Sequence, residues 1–498
     1  MLSNNARRLG APGRASVRID FSGRHYPVHM TDTTPSVPNP AKTGAIAVAG
    51  LDLDSDKVVP RRWVAAWALW DWATQPFNSV ILTFIFTALY LTTDAFLPAN
   101  IAALSDDNPL KEARLAELAS GLGLGGTIAG LIILVLAPVL GQRADSSGRR
   151  KRALAISTGL VVLATALLFF VQAAPGYFFL GVALVSAGSV FSEIAGVNYN
   201  AMLVQVSTRK TIGKVSGLGW GLGYVGGIVA LVIVVVAYSF DWFGIPQDDG
   251  LPFRLVALGC ALWTIVFSIP IFLTVPEIPP TPGRPRVGFF RSYAVLAHDV
   301  VGIFRSSRQT FWFLLASAVY RDGLAGVFAF GAVIARLVFH FSFLEVVAFG
   351  IAANLVAGIS TILAGRLDDR FGARAVILAA LIGLVASGTA TFLFHDSGKV
   401  VFWVLGLLLC AFVGPAQASS RSLLGRLALP GREGEIFGLY ATTGRAASFM
   451  SQAAWTIFIV AFGATYWGIL GIVLVLAIGL VLMFFVRVGK RDIAVTPA

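Results

Sequence analysis

Ionisable side chains embedded in long apolar runs are the first residues of this sequence to need a chemical account. A charge near the centre of a membrane-spanning helix costs roughly 2.5–3.5 kcal/mol on insertion scales, so it normally faces a cavity or a partner. Asp71 is such a residue, set among Trp67, Trp70 and Trp72. Gln75 and Asn78 follow it at spacings of four and three, which puts all three on one helix face. A polar stripe on an apolar helix can bind a solute or a proton in a central cavity. The plainer alternative is an interfacial position, since Asp71 stands only about two and a half turns from Arg62.

Glu193 occupies another apolar run, with Asn198 and Asn200 deeper along it. An acid desolvated in a low-dielectric pocket can exchange protons near neutral pH, which makes Glu193 a candidate coupling carboxylate. A helix–helix hydrogen bond or salt bridge is its structural alternative. Arg321 and Asp322 fall near the middle of a later run. Neighbours on a helix point about 100° apart and need not pair. Arg321 can bind a carboxylate or phosphate. Asp322 is either a second coupling acid or the neutraliser of Arg321, and structural pairing with other helices is the alternative for both. Further along stand Gln417, Ser419, Ser420 and Arg421, then Tyr440, Thr443, Arg445 and Gln452. Arg445, about three turns into its run, is an anion-binding candidate, whereas Arg421 can simply anchor a helix end. Trp67, Trp70, Trp72, Trp220, Tyr224 and Tyr320 are cavity candidates, with the ordinary aromatic belt of a membrane interface as their alternative.

Other chemistries find no support. GLGWGLGYVGG from Gly217 follows no strand and lies in an apolar span, so it reads as close helix packing rather than a nucleotide fingerprint. There is no GxxxxGK[ST] motif for ATP, and no Ser-His-Asp set assembles on one side. The five histidines are scattered, and Cys260 and Cys410 stand far apart in apolar runs, so neither a metal centre nor a disulfide framework is expected. No cofactor is implied.

Elements that could position these residues are plain in the composition. The chain has 498 residues, 56% hydrophobic and 13% charged, against about 25% charged in a soluble protein. A spanning helix needs about 20 mostly apolar residues. Twelve such runs occur, roughly 63–93, 117–141, 151–173, 176–203, 213–239, 252–275, 309–338, 343–365, 375–395, 399–424, 435–462 and 465–487. The net charge of +12 is distributed by side. Arg61 and Arg62, the run Arg149-Arg150-Lys151-Arg152, Arg209, Lys210 and Lys214, the link 276–308, Arg366, Arg370 and Arg374, and Arg487 all fall on alternate links. The opposite links carry Asp94, Asp106, Asp107, Asp248 and Asp249, with Lys111, Arg114 and Lys399 as their clearest bases. The positive-inside rule then puts both termini in the cytosol and removes nucleic acid as a partner. Residues 1–60, polar and rich in Pro, Ser, Thr and Gly, are expected to be a disordered cytosolic tail, with Met30 an alternative start that would leave 1–29 untranslated. Residues 488–498 form a second tail. The link 276–308 is Pro-rich at first and then carries helically spaced apolar residues that suit a membrane surface.

Two loops repeat one pattern. GQRADSSGRRKR begins at Gly141 and GRLDDRFGARA at Gly365; both read Gly-x-x-x-Asp-x-x-Gly and then Arg. Gly213, Gly217, Leu218 and Gly223 recur as Gly434, Gly438, Leu439 and Gly444. The two halves are therefore read as parallel repeats. The loop pattern resembles the signature of the major facilitator superfamily. That resemblance implies that Gly141, Asp145, Gly148 and Arg149, and again Gly365, Asp369, Gly372 and Arg374, form conformational latches. WALWDWATQPFNSVILTFIF from Trp67's helix, VSGLGWGLGYVGG, and GPAQASSRSLLGRLALPGREGEIFGLYATTGRAASF further resemble the vacuole-effluxer-like branch, which includes a fungal autophagy-related amino-acid exporter.

The expectation is an all-α membrane protein of twelve transmembrane helices in two six-helix bundles, 61–275 and 309–487. It would be a monomer in the cytoplasmic membrane and not an enzyme. It would move a small polar solute, an amino acid or organic anion, by alternating access with protons as coupling ion. Lipid bilayer and small-molecule substrate are its expected partners. A receptor or assembly protein on the same scaffold, and a lipid or drug exporter, are the competing readings.

Overall fold

Lipid offers no hydrogen bonds to a backbone, so each apolar run must satisfy its own N–H and C=O groups as a helix. The computed structural model describes residues 58–106, 108–147, 149–203, 205–207, 212–277, 294, 301–302, 304–305, 307–427, 440, 443–444 and 447–487. The side chains at 137–147, 201, 212–214, 216–217, 220, 362, 365–366, 369, 422 and 425–426 lie outside that description. So do Arg445, Gly148 and nearly all of the tail expected over 1–60.

In the first half of the chain the helices are α1 (Arg61–Pro76), α2 (Pro109–Ser147), α3 (Arg150–Leu167), α4 (Phe178–Met202), α5 (Ile212–Ser239) and α6 (Leu251–Thr274). The second half carries α7 (Arg308–Leu337), α8 (Phe343–Phe371), α9 (Ala373–Leu393), α10 (Lys399–Leu427), α11 (Met450–Phe462) and α12 (Trp467–Phe484). Among the described residues eleven helices are long and apolar enough to cross a membrane, while α11 is shorter. Large apolar side chains stand exposed on the outer surface, Phe179, Leu273 and Val400 among them. That is a lipid-facing belt, and the chain is a multi-pass membrane protein.

The links divide into two faces. One, the basic face, joins α2 to α3, α8 to α9 and α6 towards α7. The other, the acidic face, carries Asp94, Asp106, Asp248, Asp249 and Asp396. The acidic face holds more bases than the sequence reading assigns it: Arg254 donates to Phe169 O and Arg336 to Phe341 O there. Both sit near the ends of apolar runs, where a hydropathy boundary does not fix which face a side chain reaches.

α1 is broken in character at Pro76. Proline brings no N–H for the carbonyl four residues back, and that carbonyl, Trp72 O, accepts instead from Trp263 Nε1 of α6 at 3.1 Å. Beyond Pro76 the helix continues in wide π turns, Phe77–Phe84 and Thr87–Leu91. Thr83 and Thr87 hydroxyls donate to carbonyls five residues back, Asn78 O and Leu82 O. Short π segments inside helices often mark functional sites.

The two repeated loops are tied alike. Lys151 Nζ, in the first turn of α3, donates to Val275 O at the end of α6 at 3.0 Å. Arg374 Nε, in the first turn of α9, donates to Val486 O beyond α12 at 2.5 Å. Glu277 adds a carboxylate cap, accepting from Lys151 N at 2.7 Å and Arg152 N at 3.3 Å. A negative group is favoured at a helix start, where backbone N–H groups lack partners. Gly372 alone joins α8 to α9 at φ +84°, ψ 145°, with its N–H on Asp368 O.

Candidate functional site

The site is built from the faces of α1, α4 and α5 in the first half and of α7 and α11 in the second. Asp71 and Gln75 both turn towards α5, whose glycines make room for them. A Cβ on Gly219 would stand 2.9 Å from Asp71 Oδ2, and one on Gly223 3.6 Å from Gln75 Oε1. The stripe continues through Ser79, which accepts from Gln75 Nε2 at 3.3 Å. Asn78 is half-buried and makes no side-chain hydrogen bond among the described residues. Ser79 thus joins the line of Asp71 and Gln75 at i, i+4, i+8.

Asp71 has a partner the sequence reading missed. Tyr199 of α4 donates its phenol to Asp71 Oδ2 at 3.0 Å. Its ring lies between Trp67 (4.4 Å, 5°) and Trp70 (4.3 Å, 26°), and Trp67 Nε1 donates to Tyr199 O. Trp67 and Trp70 are thus buried packing residues that clamp a tyrosine, not cavity walls. Asn198, one residue before, is 2% exposed and donates to Ile194 O.

Between the halves lies a cavity of about 210 Å³, lined by Leu82 and Thr87 of the π turns, Gly126 and Gly130 of α2, Ser186, Ser189 and Glu193 of α4, Ala325 and Ala329 of α7, and Ser448 and Gln452. Glu193 is exposed rather than enclosed in a low-dielectric pocket, because α4 turns it to this open space. The hydroxyls and Gln452 complete a polar lining on an otherwise apolar wall.

Arg321 continues the cavity-facing line of Ala325 and Ala329 one turn towards the basic face. Its guanidinium lies 4.2 Å from the centre of the Tyr440 ring and donates Nη1 to Tyr440 O at 3.0 Å. Arg421 of α10 is within electrostatic reach of Arg321, Tyr440 and Tyr224, so it belongs to this group as well as to a helix end. Asp322 does not pair with Arg321. It is 3% exposed and accepts from Ser451 N at 2.5 Å. Tyr320, fully buried, bonds Ser420. Gln417 is half-buried on α10. Arg445 lies outside the described residues.

Of the latch residues, Arg149 is exposed before α3, and Gly372 and Arg374 hold the joints given above. The side chains at 141, 145, 365 and 369 are not described.

On the acidic face the halves close against each other. Trp455 Nε1 donates to Ala119 O at 3.0 Å and Thr456 Oγ1 to Ser120 O at 3.2 Å, while Phe343 stacks on Tyr238 at 4.1 Å. A vestibule of about 690 Å³ remains outside this seal, with Asp94, Asp106, Arg336, His340 and His395 around it.

A helical chain with a cavity between its halves, sealed at one face, is the form of a major facilitator-type transporter. Solved structures of that form match over nearly their whole length. A D-xylose-proton symporter aligns with a TM-score of 0.56, 14% identity, 87% of this chain and 98% of its own. A nucleoside transporter, NupG, aligns at 0.55, 15% identity, 85% and 98%. The chain belongs to the family described as vacuole effluxer Atg22 like, whose profile matches residues 119–494. The uncharacterized MFS-type transporter YxiO of Bacillus subtilis is 25% identical over 426 residues, 84% of this chain and 94% of that protein. Autophagy-related protein 22-2 of Aspergillus clavatus is 24% identical over 266 residues, 48% of this chain and 42% of its own.

Proposed function

We propose that the protein is a secondary active transporter that moves a small polar solute, an amino acid or an organic anion, through the cavity between its halves by alternating access. The observation that carries this reading is that cavity: groups from both halves meet in it, and one face is sealed while Glu193 stands exposed within it. We read twelve crossings in two six-helix bundles, 61–275 and 309–487, joined by the linker 276–308, with tails at 1–60 and 488–498. The basic face is cytosolic by the positive-inside rule, and the membrane is the cytoplasmic one. The chain acts as a monomer.

In this reading Arg321 and Tyr440, with Arg445 and Gln417, supply the solute's anionic contacts, and Gln75, Asn78 and Asn198 its polar ones. Asp71, Glu193 and Asp322 are the acids through which protons couple. Asp145 with Arg149, and Asp369 with Arg374, with Gly141, Gly148, Gly365 and Gly372 shaping their loops, are latches of the basic face. The solute screen also decides for or against a lipid or drug exporter, since Leu122, Ile133, Val182 and Phe330 line the cavity beside its polar groups.

The test begins with a thermal-shift screen of the purified protein against amino acids, peptides, sugars and organic anions. A stabilising solute is then followed in proteoliposomes with and without a pH gradient. Flux that stops in Asp71→Asn while the protein remains folded supports the reading. Flux indifferent to the gradient removes proton coupling, and binding without flux leaves a receptor.

A further inference from the structure

α11 starts at a break. Residues 447–449 form a turn, and Ala447 O, the carbonyl a continuous helix would offer to Ser451, accepts from Met450 N at 3.1 Å. Ser451 N is left as a first-turn amide and donates to Asp322 Oδ2 of α7 at 2.5 Å. Asp322 is 3% exposed, and its other oxygen has no hydrogen-bond partner among the described residues. A carboxylate here is held by the orphan amide and by the positive end of the helix dipole. One turn on, Gly326 makes room for the same residue: a Cβ there would stand 2.7 Å from Ser451 Cβ.

The next turn of α11 is the seal of the acidic face. Trp455 stacks on Phe330 of α7 at 4.2 Å and donates to Ala119 O of α2, and Thr456 donates to Ser120 O. A short helix is thus fixed at its start by one buried carboxylate and about one turn later clasped to the other half of the chain.

We infer that Asp322 is the positioning residue for α11: its charge holds the start of this helix on α7, and neutralising it releases α11 from α2 and opens the acidic face. The inference rests on the transporter reading and names the element that moves. Among the described residues few charged groups bear on Asp322. α12 has no ionisable residue, and it meets the neighbouring Gly323 with Leu476. α11 offers Ser451, with no ionisable side chain in its span. The π turns of α1 carry only Tyr90, bonded to Val171 O. Arg321 is engaged by Tyr440, Arg421 acts on that pair, and Glu345 of α8 bonds Lys399.

The test uses full-length protein in lipid nanodiscs, with Cys260 and Cys410 replaced by serine. Spin labels go on Leu110→Cys and Phe462→Cys, exposed positions of α2 and α11 near the acidic face, and the probe is the proton. The expected wild-type result is one short distance in alkaline buffer and an added longer population in acid. Asp322→Asn should show the longer population in both buffers. Ser451→Pro, which removes the donor at a first-turn position that tolerates proline, should do the same with Asp322 intact. An acid-induced opening that survives in Asp322→Asn overturns the inference and leaves alternating access standing, as does a distance that ignores pH in the wild type. The transporter reading is decided separately by solute flux.

Discussion

Tyr199 reaches Asp71 across the α1–α4 contact with its ring held between two indoles that belong to Asp71's own helix. α1 therefore supplies both the acid and the clamp that aims a phenol at it, and α4 supplies only the phenol. Gly219 of α5 closes the group from above without a side chain. The acid is oriented before any solute arrives.

Substituting Tyr199 separates the clamp from the bond. Tyr199→Phe keeps three stacked rings and loses one hydrogen bond to a carboxylate, worth about 1.5–3 kcal/mol. Tyr199→Ala also leaves a cavity, and large aromatic truncations cost about 3–5 kcal/mol. Denaturation of the purified protein should rank the alanine variant below the phenylalanine one, and solute flux should fall in both. Wild-type flux in Tyr199→Phe would show that the bond has no part in transport.

These positions also show what the sequence could and could not reveal. The apolar runs predict the helices because lipid leaves the backbone no other partner. The repeated Gly-x-x-x-Asp pattern marks two loops that are tied alike, through Lys151 to Val275 and Arg374 to Val486, while the side chains of Asp145 and Asp369 lie outside the described residues. Ser79 could have been found by extending the i, i+4 line from Asp71 and Gln75. Tyr199 could not, since its partner lies 128 positions away. The break before α11 was equally hidden: no proline marks it, and the Asp322 carboxylate that takes up the freed Ser451 amide comes from a helix 129 positions away. Apolar neighbours along the chain suggest an enclosed Glu193, but they do not say which face of the helix meets open space.

α2 packs through small residues on α11 and the turn before it, and Gly130 makes the closest approach to that turn's backbone. A Cβ at Gly130 would come within 2.8 Å of Phe449 Cα and Ser448 O, backbone atoms that cannot rotate aside. Gly126 faces only the flexible Gln452 side chain, at 2.7 Å. Gly130→Ala should therefore hinder closure more than Gly126→Ala. Cysteine accessibility from the acidic face is the measurement, with Gly130→Ala expected to be the more reactive background. Equal protection in both variants would mean that α11 can shift without breaking the seal.

Gly372 is required for its backbone angle rather than for space. Its φ is +84°, and no atom lies within 4 Å of an added Cβ. Gly372→Ala should thus cost about 1–3 kcal/mol, because a positive φ with an extended ψ is a conformation that a Cβ disfavours. Gly259 also has open space around it but no positive φ, and Gly259→Ala should be neutral or mildly stabilising, since alanine is the better helix former by about 1 kcal/mol. Paired denaturation curves test this; a neutral Gly372→Ala would show that the α8–α9 joint relaxes freely.

Lys111 is 3% exposed and holds Asp94 and Asp106 at 2.7 Å each, with Leu104 O at 3.1 Å, on the acidic face. The Lys111 hydrogen bond, reinforced by its charge, keeps the Asp106 carboxyl below its ordinary 3.8, and His340 and Arg336 of the other half add smaller attractions. A folded-state value below the unfolded one contributes stability that is complete above the ordinary carboxylate range and is lost as pH falls through the lowered value. Asp106 is 83% exposed, so its share is small and screened by salt. Asp106→Asn should lower the melting temperature slightly at neutral pH and low salt. That difference should shrink in high salt and disappear in strong acid, where the wild-type carboxyl is also uncharged. Lys111→Met should cost more and depend less on salt, because it strands Asp94, Asp106 and a backbone carbonyl around a buried apolar chain. A deficit in Asp106→Asn that persists undiminished in strong acid would locate its role in shape rather than charge.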